Sequence, residues 1–501
     1  AVIEIIMRVG VIGSITLHLR GVRLAYVWLM ITTFTAISWL LLLFIPIPSF
    51  QPISSDKLLK IPLQEIVLAF SLDKNSWIIV FSFVSWILSY LMTSVIRLNK
   101  EKVPLGWVSI ILIFMPAVFA FSAQNIISLV IFWTLSDILE IVYRLKKNRG
   151  LFKHRRNILQ YLLRMISTFL AVWFDLGVQT LPFTSLLSQR ELLLTLIVVF
   201  RSSVLPIFSF RNTDRDLHLA EEFFLRAIQL SYGLGFLSFA SENTLEGMGF
   251  FVLLLILFII TTFSGYVWVK QRDFSGEMSF QPLFLVSLAL ISYFLGYSEV
   301  FPIFLLLFMF NAGFLSLYSV KEIKTPFLLI MNLILISGLP LSFPFFVFNY
   351  LLISEYSVIA IIIVVVPYVF AILGFLRENA VLKVSAQTFG QLYKAVYMAG
   401  HLLLIISAAV IVMRNYLDKF ILQGIWWVSF LPFIFALFFY FLYCKKVREV
   451  NPKENTSSQN FALLFINNFL QLNWLSSISL GVFRVLRNVT SGINSILEGE
   501  G

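Results

Sequence analysis

Apolar residues in this chain fall in long runs broken by short polar segments, not in the spaced patterns of a soluble amphipathic helix or a half-buried strand. Runs long enough to cross a bilayer lie near 24–48, 75–97, 106–122, 124–143, 158–175, 191–209, 222–241, 247–269, 280–297, 299–319, 325–349, 352–376, 398–413 and 424–444. That makes about fourteen candidate spans at the roughly 20 residues a span needs. The run at 222–241 is the weakest, because it contains Arg226, Gln229 and two glycines. Residues 1–23 carry Glu4, Arg8, His18, Arg20 and Arg23, and read as an amphipathic leader or the remnant of a first helix. The chain opens on Ala1 rather than Met, which reads as processing or truncation upstream. Beyond the last run, 445–459 is a polar linker and 460–501 an amphipathic tail. Phe461, Leu464, Phe465, Phe469 and Leu472 lie there near helical spacing, as in a helix on a membrane face or against a partner.

The intervening segments alternate in charge. Arg97, Lys100 and Lys102 follow the second run, and a dense basic stretch from Arg144 to Arg156 follows the fourth. Basic pairs recur at every second loop thereafter, through Lys445, Lys446 and Arg448, while the opposite loops are poorer in Lys and Arg. By the positive-inside rule both ends face the cytoplasm.

Composition fixes the class. Of 501 residues 59% are hydrophobic, 53 are Phe and only 13% are charged; the mean hydropathy is +0.92. A soluble domain with this composition could not cover its surface, so the chain is an all-α polytopic membrane protein. The formal charge of +11 belongs to cytoplasmic loops and does not imply nucleic acid. A single cysteine, Cys444, and four scattered histidines leave no metal motif. No phosphate loop, zinc motif or hydrolase motif is visible, and no loop is long enough for a soluble catalytic domain. Cofactors, if any, are expected on partner subunits.

Chemistry is therefore sought in charges at membrane depth, each costing about 2.5–3.5 kcal/mol on insertion scales. Arg201 lies inside the run 191–210; Asp137 and Glu140 lie in the fourth run, Arg164 in the fifth and Arg226 in the seventh. An Arg paired with carboxylates on facing helices is the cheapest arrangement in lipid, so Arg201 is expected to pair with Asp137 or Glu140. The plainer reading has Asp137 and Glu140 snorkelling beside Arg144, and Arg201 and Arg226 acting as static counter-charges. His401 is expected to be a hydrogen-bonded core residue. Asp73 is either a helix cap or the mouth of an ion path.

The order of several motifs resembles the antiporter-like membrane subunits of respiratory complex I and their relatives in multisubunit cation/proton antiporters, membrane-bound hydrogenases and inorganic-carbon uptake systems. Asp73 to Ser76 is similar to the family's Asp-x-x-Ser helix start. Asn125 to Trp133 resembles its helix ending in Phe-Trp-Glu, with Thr134 at the Glu position. Phe200-Arg201-Ser202-Ser203 with Pro206 resembles the broken Lys-Ser-x-x-x-Pro helix, with Arg for Lys; Leu225-Arg226-Ala227 resembles Ile-His-Ala, with Arg for His. Asn311-Ala312-Gly313 resembles the end of the central-lysine helix, the Lys position falling near Leu305. Ser337-Gly338-Leu339-Pro340 resembles the second broken helix, the final Lys position falling near Phe348.

The resemblance implies two inverted repeats of about five helices within 24–444, helix breaks at Pro206, Gly338 and Pro340, and proton or cation translocation coupled to a partner. It implies further membrane subunits, lipid and a cytoplasmic-face protein as partners. The expected location is a bacterial or archaeal plasma membrane, or a mitochondrial inner membrane. Arg does not titrate in proteins, so the Arg and Leu replacements damage the family's relay. A non-conducting anchor of the same fold and an independent secondary carrier are the alternatives.

Overall fold

The computed structural model describes residues 2–45, 62–63, 66–67, 70–97, 105–147, 155–175, 189–204, 219–239, 248–270, 274–295, 301–318, 330, 333–334, 337–339, 342–352, 365–370, 372–374, 376, 390–415 and 429–447. The tail 460–501 and the prolines Pro206 and Pro340 lie outside them.

Nearly all the described residues are helical. In chain order they form α1 (Val2–Leu19), α2 (Leu24–Phe44), α3 (Lys74–Thr93), α4 (Leu105–Phe121), α5 (Ile126–Lys147), α6 (Arg155–Asp175), α7 (Gln189–Arg201) and α8 (Leu219–Phe236). These are followed by α9 (Met248–Lys270), α10 (Phe274–Phe294), α11 (Phe301–Leu307), α12 (Gly313–Tyr318), α13 (Phe343–Leu352), α14 (Gln391–Asn415) and α15 (Leu431–Val447). The only described strands pair Pro62–Leu63 with Ile66–Val67. Five helices, among them α2, α3 and α14, are long and apolar enough to span a membrane unaided.

α3 is the hub. Every residue from Ser76 to Leu91 is buried, and α2, α4 and α14 pack around it. Its serines let it serve as one: Ser82 and Ser85 bond back to their own helix, while Ser89 Oγ donates across to Gly400 O of α14. Gly400 allows that approach, since a Cβ there would crowd Met92 and the Ser89 carbonyl. Trp39 Nε1 of α2 reaches both Ser85 Oγ and Ser407 Oγ, tying three helices together.

Several expectations need adjustment. The leader 1–23 is a formed helix, α1, packed against α2 and α4, with Glu4 buried and bonded to Arg8. The expected span 299–319 is interrupted by a π-helical turn at Phe308–Ala312 between α11 and α12. α15 runs to Val447, so the expected linker starting at 445 begins inside a helix. The run thought weakest, 222–241, forms α8, buried along most of its length.

Candidate functional site: a buried ion-pair network

α5 carries its polar residues on one face. Trp133, Ser136, Glu140, Tyr143 and Arg144 are buried, with Asp137 beside them, whereas Thr134, Leu135, Ile138 and Val142 are exposed. Spacings of three and four put the first set on a single stripe. α6, α7 and α8 close over that stripe.

Arg201 ends α7. It is fully buried and donates to both oxygens of Asp137, Nη1 to Oδ2 at 2.7 Å and Nη2 to Oδ1 at 3.2 Å. Its guanidinium lies against the adjoining Trp133 and Tyr232 rings, 4.6 and 5.0 Å from their centroids. A cation over aromatic faces gains cation–π attraction. As the last residue of a helix it also faces the negative end of the dipole.

Local backbone explains why the helix stops there. Ser203 has φ 54°, in the left-handed region, and Ser202 Oγ caps back to Val198 O at 2.6 Å. Gly233 on α8 then lets α8 come against this end of α7, because a Cβ at Gly233 would collide with Ser202 Oγ and the Val198 carbonyl. That close approach delivers Tyr232 to Arg201.

One turn further along α5 sits Glu140, 1% exposed. It accepts from Arg164 Nη1 at 2.8 Å and Arg144 Nε at 2.9 Å. Arg164 also contacts Asp137 Oδ1 at 3.5 Å and donates Nε to Ser203 Oγ at 2.6 Å. Gln229 Nε2 donates to both Asp137 Oδ1 (3.2 Å) and Glu140 Oε2 (3.0 Å). The two carboxylates thus share two donors. At the far end Arg144 reaches Glu222 at 3.0 Å, Glu222 pairs with Arg226 at 3.2 Å, and Tyr143 donates to Glu221 at 2.7 Å.

Four arginines (Arg144, Arg164, Arg201, Arg226) therefore interleave with Asp137, Glu140 and Glu222, and Tyr143 ties Glu221 to the same cluster. Opposite charges and shared hydrogen bonds make burial of these groups tolerable. Asp137 lies eleven residues into α5 from Ile126, about 16 Å at 1.5 Å per residue and thus about midway along the helix. The network runs from there to the basic end of α5.

The structure brings together Arg201, Asp137, Glu140, Arg164 and Arg226, although Arg226 joins only through Glu222. Glu140 does not snorkel. Asp73 is elsewhere: it caps α3, accepting from Ser76 N at 2.8 Å. Thr134, where the resemblance puts a Glu, is exposed, and Asp137 three residues on joins the site. His401 is a core residue whose Nδ1 lies 3.1 Å from Tyr397 O. Glu221, Glu222, Gln229 and Tyr232 were missed. Two adjacent acids opening a run four residues before Arg226 were the available signal.

Beyond α8 no Asp, Glu, Lys or Arg is buried among the described residues. Leu305, at the family's central Lys position, is 1% exposed in an aromatic core. Gly338 does break its segment, with φ 77° and its carbonyl held by Ser429 Oγ at 2.8 Å. Among the described residues no group of side chains could hold a metal ion.

No protein-family model matches the sequence, and no curated protein matches it. Solved structures do. A chain of the membrane-bound sulfane sulfur reductase, an archaeal respiratory membrane complex, aligns with a TM-score of 0.60 and 13% identity over 98% of this chain and 94% of that one. A chain of the Mrp complex from Dietzia sp. aligns with a TM-score of 0.64 and 11% identity, covering 97% of this chain and 60% of that one. A chain of respiratory complex I from Thermus thermophilus aligns with a TM-score of 0.54 and 12% identity over 83% and 98%. The chain has the fold of these chains from membrane complexes.

Proposed function

We propose that this chain is an antiporter-like membrane subunit of a multi-subunit complex, and that its first half moves protons by a short transverse route. The observation that carries this reading is the continuity of the network from Glu222 and Arg144 at the basic end of α5, through Glu140, to Asp137 and Arg201 about midway along that helix. The arginines stay charged and act as fixed counter-charges; the carboxylates are the groups that gain and lose a proton. Asp137 and Glu140 share Arg164 and Gln229 as donors. Protonating one frees a donor for the other, so the two carboxylates exchange charge without either being left unpaired. The positive-inside rule, applied to the basic loops, supports a cytoplasmic position for the Arg144 end.

A second reading is a non-conducting anchor, favoured by the apolar second half around Leu305. One experiment separates them. The tagged complex, purified in mild detergent with its partners identified, is reconstituted and assayed for proton uptake with Asp137→Asn. Loss of uptake with the complex intact supports the route. Unchanged uptake with full assembly supports the anchor. A chain that purifies alone removes the subunit reading.

A further inference from the structure

A second polar feature lies at the opposite end of the same helices. Where α3 and α5 begin and α8 ends, a cavity of about 160 Å³ opens between α3, α4, α5 and α8. Its rim is Asp73, Gln124 and Ser238, all exposed; its floor is Ser76, Ser231 and Tyr232, all buried. A water needs about 10–15 Å³ of such space and two to four polar partners, so the cavity has room for on the order of ten. Gly235 also lines it, and a Cβ there would meet nothing within 4 Å.

The floor is thin. Tyr232 lines the cavity on one side and stacks on the Arg201 guanidinium on the other. Its buried hydroxyl faces Ser136 Oγ. Trp133 Nε1, Arg201 Nε and the Gln229 amide oxygen, around the same ion pair, lack partners. Buried polar atoms seldom stay so. Three of them around an ion pair beside a polar cavity mark a site that water can complete.

We propose that this cavity is an aqueous vestibule that admits water-borne protons from the face opposite the basic loops, and that the Tyr232 ring is the gate between it and Asp137–Arg201. The purpose assigned to it rests on the transverse route above, but its existence does not, because accessibility is read without transport.

The test uses the assembled complex in sealed vesicles. The sole native cysteine is removed as Cys444→Ser, and single cysteines are placed at Ser238 (rim), Ser231 (floor), Ser136 (behind the gate) and Ser287 (core control). A small membrane-impermeant, positively charged thiol reagent is applied to either face. Ser238→Cys and Ser231→Cys should be modified from the Asp73 face only, with Ser287→Cys inert from both. Ser136→Cys should be inert with Tyr232 present and become reactive in Tyr232→Ala. Tyr232→Leu, which keeps more of the packing, gives the same readout if the alanine variant fails to assemble. Inert Ser231→Cys with reactive Ser238→Cys overturns the vestibule, and so does modification of Ser231→Cys from the opposite face. Equal reactivity of Ser136→Cys with and without Tyr232 overturns the gate. Normal accessibility with no proton uptake would sink the transverse route and leave the vestibule standing.

Discussion

Arg201 and Asp137 join α7 to α5 through a two-toothed hydrogen bond, Nη1 to Oδ2 at 2.7 Å and Nη2 to Oδ1 at 3.2 Å, with no solvent reaching the arginine. A planar fork matched to a carboxylate is what Arg offers and Lys does not. The replacement of a titratable cation by a permanent one thus comes with a partner in the geometry that suits it.

Removing one member of that pair should cost more than removing both. Asp137→Ala strands a buried guanidinium and should destabilise by about 3–5 kcal/mol, the range for breaking a buried pair. Asp137→Leu combined with Arg201→Met should be markedly milder. Thermal unfolding of the purified complex measures each single variant and the double; a double loss equal to the sum of the two single losses would show that the residues are not coupled.

Arg201→Lys keeps the charge but loses one hydrogen bond and the guanidinium plane against Trp133 and Tyr232. Assembly should survive, with stability reduced by about 1.5–3 kcal/mol as for a lost hydrogen bond to a charged group. Wild-type stability in Arg201→Lys would mean that the fork and the stacking contribute nothing.

Gly233→Ala should push α8 from the end of α7, since the new methyl meets Ser202 Oγ and lies 2.8 Å from the Val198 carbonyl. Overpacking of this kind costs about 1–3 kcal/mol. Ser202→Gly in the same chain removes the side-chain clash and should recover part of the loss. A Gly233→Ala variant as stable as wild type would refute the close approach.

Thr134→Glu should not rescue Asp137→Asn. The two residues are three apart, but Thr134 is exposed and its hydroxyl bonds to Val130 O, on the face away from Arg201. Recovery of proton uptake in the double variant would mean that α5 is rotated from the orientation described here.

Ser203 tests backbone and side chain together. Ser203→Gly relieves a left-handed φ but deletes the acceptor for Arg164 Nε, whereas Ser203→Val loses the acceptor and adds a β-branch at φ 54°. The valine variant should be the less stable of the two by about 1–3 kcal/mol, the cost of forcing such a conformation. The reverse order would show that the strain is absent.

Sequence reading reached the membrane class and the antiporter-like order because long apolar runs and basic loops are one-dimensional signals. It reached the Arg201 pairing because a charge in lipid demands a partner. It rated α8 the weakest span, which its low apolarity bears out, but missed that Glu221, Glu222 and Gln229, the residues that weaken it, join the ion-pair network. At Thr134, where the resemblance puts a Glu, the side chain is exposed and bonded to Val130 O, a helix-phase effect that motif order does not show. The vestibule was out of reach: Asp73, Gln124 and Ser238 lie far apart in the chain, and only folding makes them neighbours.

The ion-pair cluster also bears on biogenesis. α6 and α8 are long but are not among the described helices apolar enough to cross a membrane alone: Arg164 of α6 finds its carboxylates on α5, and Glu222 of α8 is shared between Arg226 of its own helix and Arg144 of α5. Neither can partition stably into lipid before its partners arrive. Lateral release from the insertion machinery must therefore wait until α5 through α8 can leave as a group, and a lesion at Asp137 or Glu140 would surface first as failed insertion and early degradation.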